Sequence, residues 1–104
     1  LTDDVVHEIA ARDGILGVLP VGWALVDGWR RGDPRVSLER VVDAVHDLHV
    51  DERHIAIGTD WDGGQGAESA PEGCETIGDL AKLRDPLGDA ILGGNWLRWL
   101  RSWL

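Results

Sequence analysis

Residues 53–65 read RHIAIGTDWDGGQ, and the fold turns on how this stretch is parsed. A short apolar run, His54 to Gly58, stops at Thr59, and two carboxylates, Asp60 and Asp62, follow before paired glycines. A brief, unbroken apolar run between polar flanks is the pattern of a strand buried on both faces of a parallel sheet. Asp60 then stands at the carboxyl end of that strand, as a catalytic carboxylate, part of a metal loop or the start of a turn.

Working outward, Ile15 to Leu19 has the same character and is ended by Pro20. Between the two runs, Ser37 is a good N-cap for a helix whose apolar positions Leu38, Val41, Val42, Val45 and Leu48 follow helical spacing. Only Val50 to Arg53 separate that helix from the second run. Strand, helix, strand is a βαβ unit, with parallel strands and a right-handed crossover.

This layout places two long irregular stretches, Val21 to Val36 and Thr59 to Glu75, on one face, because both leave strand carboxyl ends. Active sites of α/β folds sit on that face. Two parallel strands do not make a sheet covered on both sides, so further strands are expected from residues outside this chain or from another chain.

The remaining segments read as helices. Thr2 caps the first, with Asp3 and Asp4 in its opening turn, an apolar face of Val5, Val6, Ile9 and Ala10, and Gly14 as its stop. Thr76 to Leu83 is read as helical, and Pro86 to Leu92 as a shorter helix ended by Gly93 and Gly94. Asn95 caps the last helix, with an apolar stripe of Trp96, Leu97, Leu100, Trp103 and Leu104, and with Arg98 and Arg101 facing the other way.

At 104 residues the chain holds one domain at most, residues 1–104 being read as part of a single domain, and no segment is apolar over the roughly 18 residues of a membrane span. Nineteen acids against ten bases give a net charge of -9, which repels a phosphate backbone and argues against a nucleic-acid partner. The single cysteine, Cys74, has no disulfide partner and reads as a small apolar filler. A chain that begins at Leu1 and contains no methionine is expected to be a piece of something longer.

For Asp60 and Asp62 the calcium-loop reading fails, since the fifth, sixth and twelfth positions hold Gly64, Gln65 and Pro71 instead of an oxygen ligand, glycine and glutamate. An aspartate-based phosphatase would use the first aspartate as nucleophile but needs lysine and acidic motifs well downstream, where this chain has one lysine and no acidic pair. A general acid/base or metal-proximal carboxylate at a strand end fits the layout. An Asx turn fits the local string equally well, and for Asp62, beside Gly63, it is the preferred reading. His46 and His49 lie outside the apolar stripe of their helix and lack the glutamate of a zinc-binding helix, so they read as solvated surface, as does His7. His54 opens its strand on the face away from the presumed site.

HIAIGTDWDGG, SAPEGCETIGDL and ILGGNWLRWLR, with LTDDVVHEIAARDGILGVLP and GDPRVSLERVVDAVHDL before them, resemble in order the closing portion of the membrane dipeptidase (renal-dipeptidase-like) family of the amidohydrolase superfamily. The resemblance covers essentially the whole chain. It implies the C-terminal portion of a (β/α)8 TIM barrel, with Ile15 to Leu19 as the seventh strand and His54 to Gly58 as the eighth. It further implies two zinc ions and hydrolysis of dipeptides. Asp60 matches the family aspartate beside the zinc-bound water and the substrate amine, which makes it both the catalytic and the substrate-binding residue. Trp61 stands where the family usually has phenylalanine and is expected to pack beneath the site.

Two departures matter. The family's zinc ligands and its carboxylate-binding arginine lie on earlier strands, so this chain supplies no metal ligand and is expected to be inactive alone. The segment between Lys82 and Asp89 is also shorter than the family pattern. The rival to a dipeptidase is a non-catalytic fragment or interaction module, with the phosphatase behind it. Nine arginines against one lysine point to a G- and C-rich bacterial parent and, by default, a cytoplasmic one. The missing part of the barrel is the expected partner. With both strands unpaired, the isolated chain is expected to self-associate or behave as a molten globule.

Overall fold

The computed structural model describes all 104 residues. In chain order it contains α1 (Asp3–Ala11), β1 (Leu16–Val18), α2 (Gly22–Leu25), α3 (Glu39–His46), a 3₁₀ turn at Glu52–His54, and β2 (Ile55–Ile57). A 3₁₀ segment (Ile77–Leu83), α4 (Arg84–Leu87), a π-helical turn (Ala90–Gly94) and α5 (Asn95–Trp103) complete it. The two strands pair in parallel with Leu16 opposite Ile55 and Val18 opposite Ile57, and α3 lies in the connection between them. The chain is thus a small α/β unit of helices around a two-stranded parallel sheet.

Both apolar runs form strands, each of three residues. The core is built from Val41 and Val45 of α3, Ile55 and Ile57 of β2, and Leu83, Leu87 and Ile91. Burying side chains of this size stabilises a fold by about 1.5–3 kcal/mol each. Every residue of β2 is buried, whereas β1 buries Leu16 but exposes Gly17. Burial on both faces, expected of both runs, therefore holds for β2 and fails for β1.

Several helix boundaries differ from the sequence reading. Thr2 and Ser37 precede their helices, but neither side chain makes a cap hydrogen bond, and α3 begins after Leu38. α1 ends in a Schellman arrangement: Asp13 takes a left-handed φ of 57°, its N–H bonds Ala10 O, and Gly14 N–H bonds Ile9 O at 2.8 Å. Gly14 matters for space, since a Cβ there would meet the Ile9 carbonyl oxygen at 3.0 Å.

Gly93 and Gly94 end nothing. The helix runs through them as a π turn into α5, and the break falls at Gly88, whose φ of 87° and ψ of 163° suit glycine alone. Asn95 is not a cap either. It is buried, and its amide donates to Glu52 O at 2.7 Å and Ile55 O at 2.8 Å, tying the last helix to β2. Arg98 turns inward too, donating to Arg53 O at 2.6 Å and lying 3.6 Å from Asp13.

Candidate active site

The loops after β1 and β2 leave the same end of the sheet and pack on each other. Gly22 N–H bonds Ser69 O at 2.8 Å, and Glu72 N–H bonds Val36 O at 2.8 Å. Trp23 Nε1 donates to Gln65 Oε1 at 3.1 Å, and Arg31 reaches Glu68 at 3.4 Å. Trp61 Nε1 donates to Pro20 O at 3.1 Å. Trp61 is half-buried in this seam, and it also lines the adjoining pocket.

A pocket of about 610 Å³ opens between the strand end and the second loop, lined among others by Thr59, Asp60, Asp62, Gln65, Glu75 and Thr76. Its lining holds three carboxylates and no lysine, arginine or histidine; Glu75 is paired with Arg35 from behind, and the unpaired Asp60 and Asp62 favour a cationic group such as an ammonium.

Asp60 lines the pocket and is exposed, with a left-handed φ of 52° that aspartate tolerates better than most residues. Gly63 N–H bonds Asp60 O at 3.0 Å, so residues 60 to 63 form a turn closed by backbone. The Asp60 carboxylate lies over Gly63, where any Cβ would collide with it. It accepts no hydrogen bond and forms no ion pair, and the Asx turn considered for it is not made. Asp62 is exposed beside it and equally unpartnered.

Arg35 is the residue that sequence reading missed. Its guanidinium donates to the carbonyls of Ala70 at 3.1 Å, Pro71 at 2.7 Å and Cys74 at 3.1 Å, and pairs with Glu75 at 2.5 Å. One side chain from the first loop thereby shapes the far wall of the pocket, where a planar fork of five donors is needed. Its acceptors are mostly main-chain carbonyls, which leave no trace in a sequence. Cys74, buried within this wall, has its thiol pushed up from the usual range by that burial first and by nearby Asp79 second. At the edge of the pocket, Asp79 Oδ2 accepts from Thr76 N at 2.9 Å and Glu75 N at 2.8 Å, and these two bonds hold its carboxyl below the usual range.

The histidines stay apart from this site. His7, His46 and His49 are exposed. His54 is buried at the opposite end of the sheet, with Nδ1 3.1 Å from Gly14 O. No three side chains of histidine, cysteine, aspartate or glutamate converge in a way that would hold a metal ion. No family model, curated protein or solved structure matches the chain.

Proposed function

We propose that the chain forms the C-terminal part of a dipeptidase barrel and contributes Asp60 as its general acid/base. The observation that carries the proposal is an unpartnered carboxylate just beyond the carboxyl end of a parallel strand, in the lining of an acidic pocket. A base must be within reach of the proton it takes, and a free carboxylate needs no bond broken before it acts. In this reading Asp60 accepts a proton from the attacking water and returns it to the departing amine. The acidic lining receives the free ammonium group of the dipeptide.

The barrel is part of the proposal. Its support is the parallel pair with a helical crossover and both long loops on one end of the sheet. The metal and its ligands come from outside this chain, whose own donors do not form such a site.

The test is hydrolysis of a panel of dipeptides by a longer protein carrying this segment, beside the 104-residue chain alone. Turnover by the longer protein and none by the short chain with added zinc is expected. Metal-dependent hydrolysis by the short chain, or a longer protein that cleaves phosphate esters and no dipeptide, would refute the reading.

A further inference from the structure

Resting on the dipeptidase reading, we infer that the pocket after β2 selects dipeptides with a bulky apolar side chain on the N-terminal residue, with Ile77 as the specificity-determining contact. Beside the free carboxylates of Asp60 and Asp62, the lining holds five apolar residues, Trp61, Ala67, Ala70, Cys74 and Ile77. Charge and apolar surface in one cavity fit an ammonium with a hydrocarbon group close by.

The N-terminal residue of a dipeptide has that form. Its α-ammonium and its side chain share one carbon, so fixing the first places the second. With the ammonium on Asp60 or Asp62, this side chain falls on the apolar part of the same lining. The side chain of the second residue lies beyond the scissile bond and has no such constraint.

Ala70 and Cys74 are small, buried members of the lining, and Arg35 holds the carbonyls of both at 3.1 Å, which keeps that wall in place. Burial pushes the Cys74 thiol up, so it stays protonated and uncharged at neutral pH. Ile77 is the only large aliphatic side chain of the lining, and it is 65% exposed. Its backbone is pinned from the next turn: Asp79 Oδ2 accepts from Thr76 N at 2.9 Å, and Asp79 N–H bonds Thr76 O at 3.0 Å. A β-branched side chain on a fixed backbone has little rotamer freedom to lose when a ligand packs on it. Ile77 thus offers the apolar area that a hydrocarbon side chain would cover.

The experiment compares kcat/KM for leucyl-glycine, glycyl-leucine and glycyl-glycine in a longer protein carrying this segment. Wild type is expected to prefer leucyl-glycine to glycyl-glycine by about 10²-fold or more, since even one methylene in an apolar pocket is worth about tenfold. Ile77→Ala should cut that preference by about tenfold, and Ile77→Leu should keep most of it. The ratio of glycyl-leucine to glycyl-glycine should not follow, which separates a contact with the first side chain from a general disturbance of the loop. Glycyl-glycine cleaved as well as leucyl-glycine, an undiminished preference in Ile77→Ala, an equal loss in Ile77→Leu, or a matching fall for glycyl-leucine would each overturn the inference while leaving dipeptide hydrolysis standing. Failure of the longer protein to cleave any of the three would overturn both.

Discussion

Trp61 donates its indole N–H to the carbonyl oxygen of Pro20 at 3.1 Å, joining the turn after β2 to the residue that ends the apolar run of β1. That bond fastens the two long loops at their roots, next to Asp60. Trp61→Phe keeps an aromatic body in the seam and deletes the donor. The urea midpoint should fall by the equivalent of about 0.5–1.5 kcal/mol at unchanged slope. An unchanged midpoint would mean that the bond holds nothing.

Arg35 secures the other side of the pocket, and its replacement by Lys should not rescue it. A single ammonium does not reach carbonyls on residues 70, 71 and 74 together with the Glu75 carboxylate. Hydrogen exchange at Cys74 N–H, which bonds Pro71 O at 3.0 Å, should speed up by roughly tenfold or more in Arg35→Met, a loss of about 1.4 kcal/mol locally. Arg35→Lys should restore less than half of that protection. Full protection in Arg35→Met would show that the loop holds its shape without the guanidinium.

Asp79 makes the rim of the pocket sensitive to acid. Its carboxyl sits below the usual range because the Thr76 and Glu75 amides bond the charged form. A lowered pKa in the folded state contributes stability above the ordinary carboxylate pKa, and that contribution is lost as pH falls through the lowered value. Exchange protection of the Thr76 and Glu75 amides should therefore be steady at neutral pH and decline under acid conditions. Asp79→Asn should show weaker protection with no such decline. A wild type whose protection rises on acidification would contradict this.

The strands were legible because neither apolar run has a helical period, and Pro20 and Thr59 bound them. Their placement of Asp60 on the long-loop end follows from the parallel pairing alone. The C-terminal helices were less legible for a physical reason. Glycine pairs and asparagine are local stop and cap signals, but here β2 offers two carbonyls that only a buried amide and an indole satisfy. Tertiary bonding overrode the local preference, and Gly93 and Gly94 gave the backbone freedom for a π turn instead of a stop. Arg98 was misplaced for the same reason, its partners being a carbonyl and Asp13 from the far end of the chain. The pocket wall was hidden because Arg35 acts mainly on main-chain acceptors.

The central claim is that the Asp60 carboxylate moves a proton, and Asp60→Asn in a longer, active protein carrying this segment tests it most directly. Asparagine accepts the left-handed φ of 52° as readily as aspartate, so the turn should survive the change. The expected result is a drop in kcat for dipeptide hydrolysis of about 10²-fold or more, with zinc content unchanged, the usual size of a lost acid/base contribution. A variant that keeps most of its turnover, with the turn and the zinc intact, would contradict the account and leave Asp60 as a turn residue.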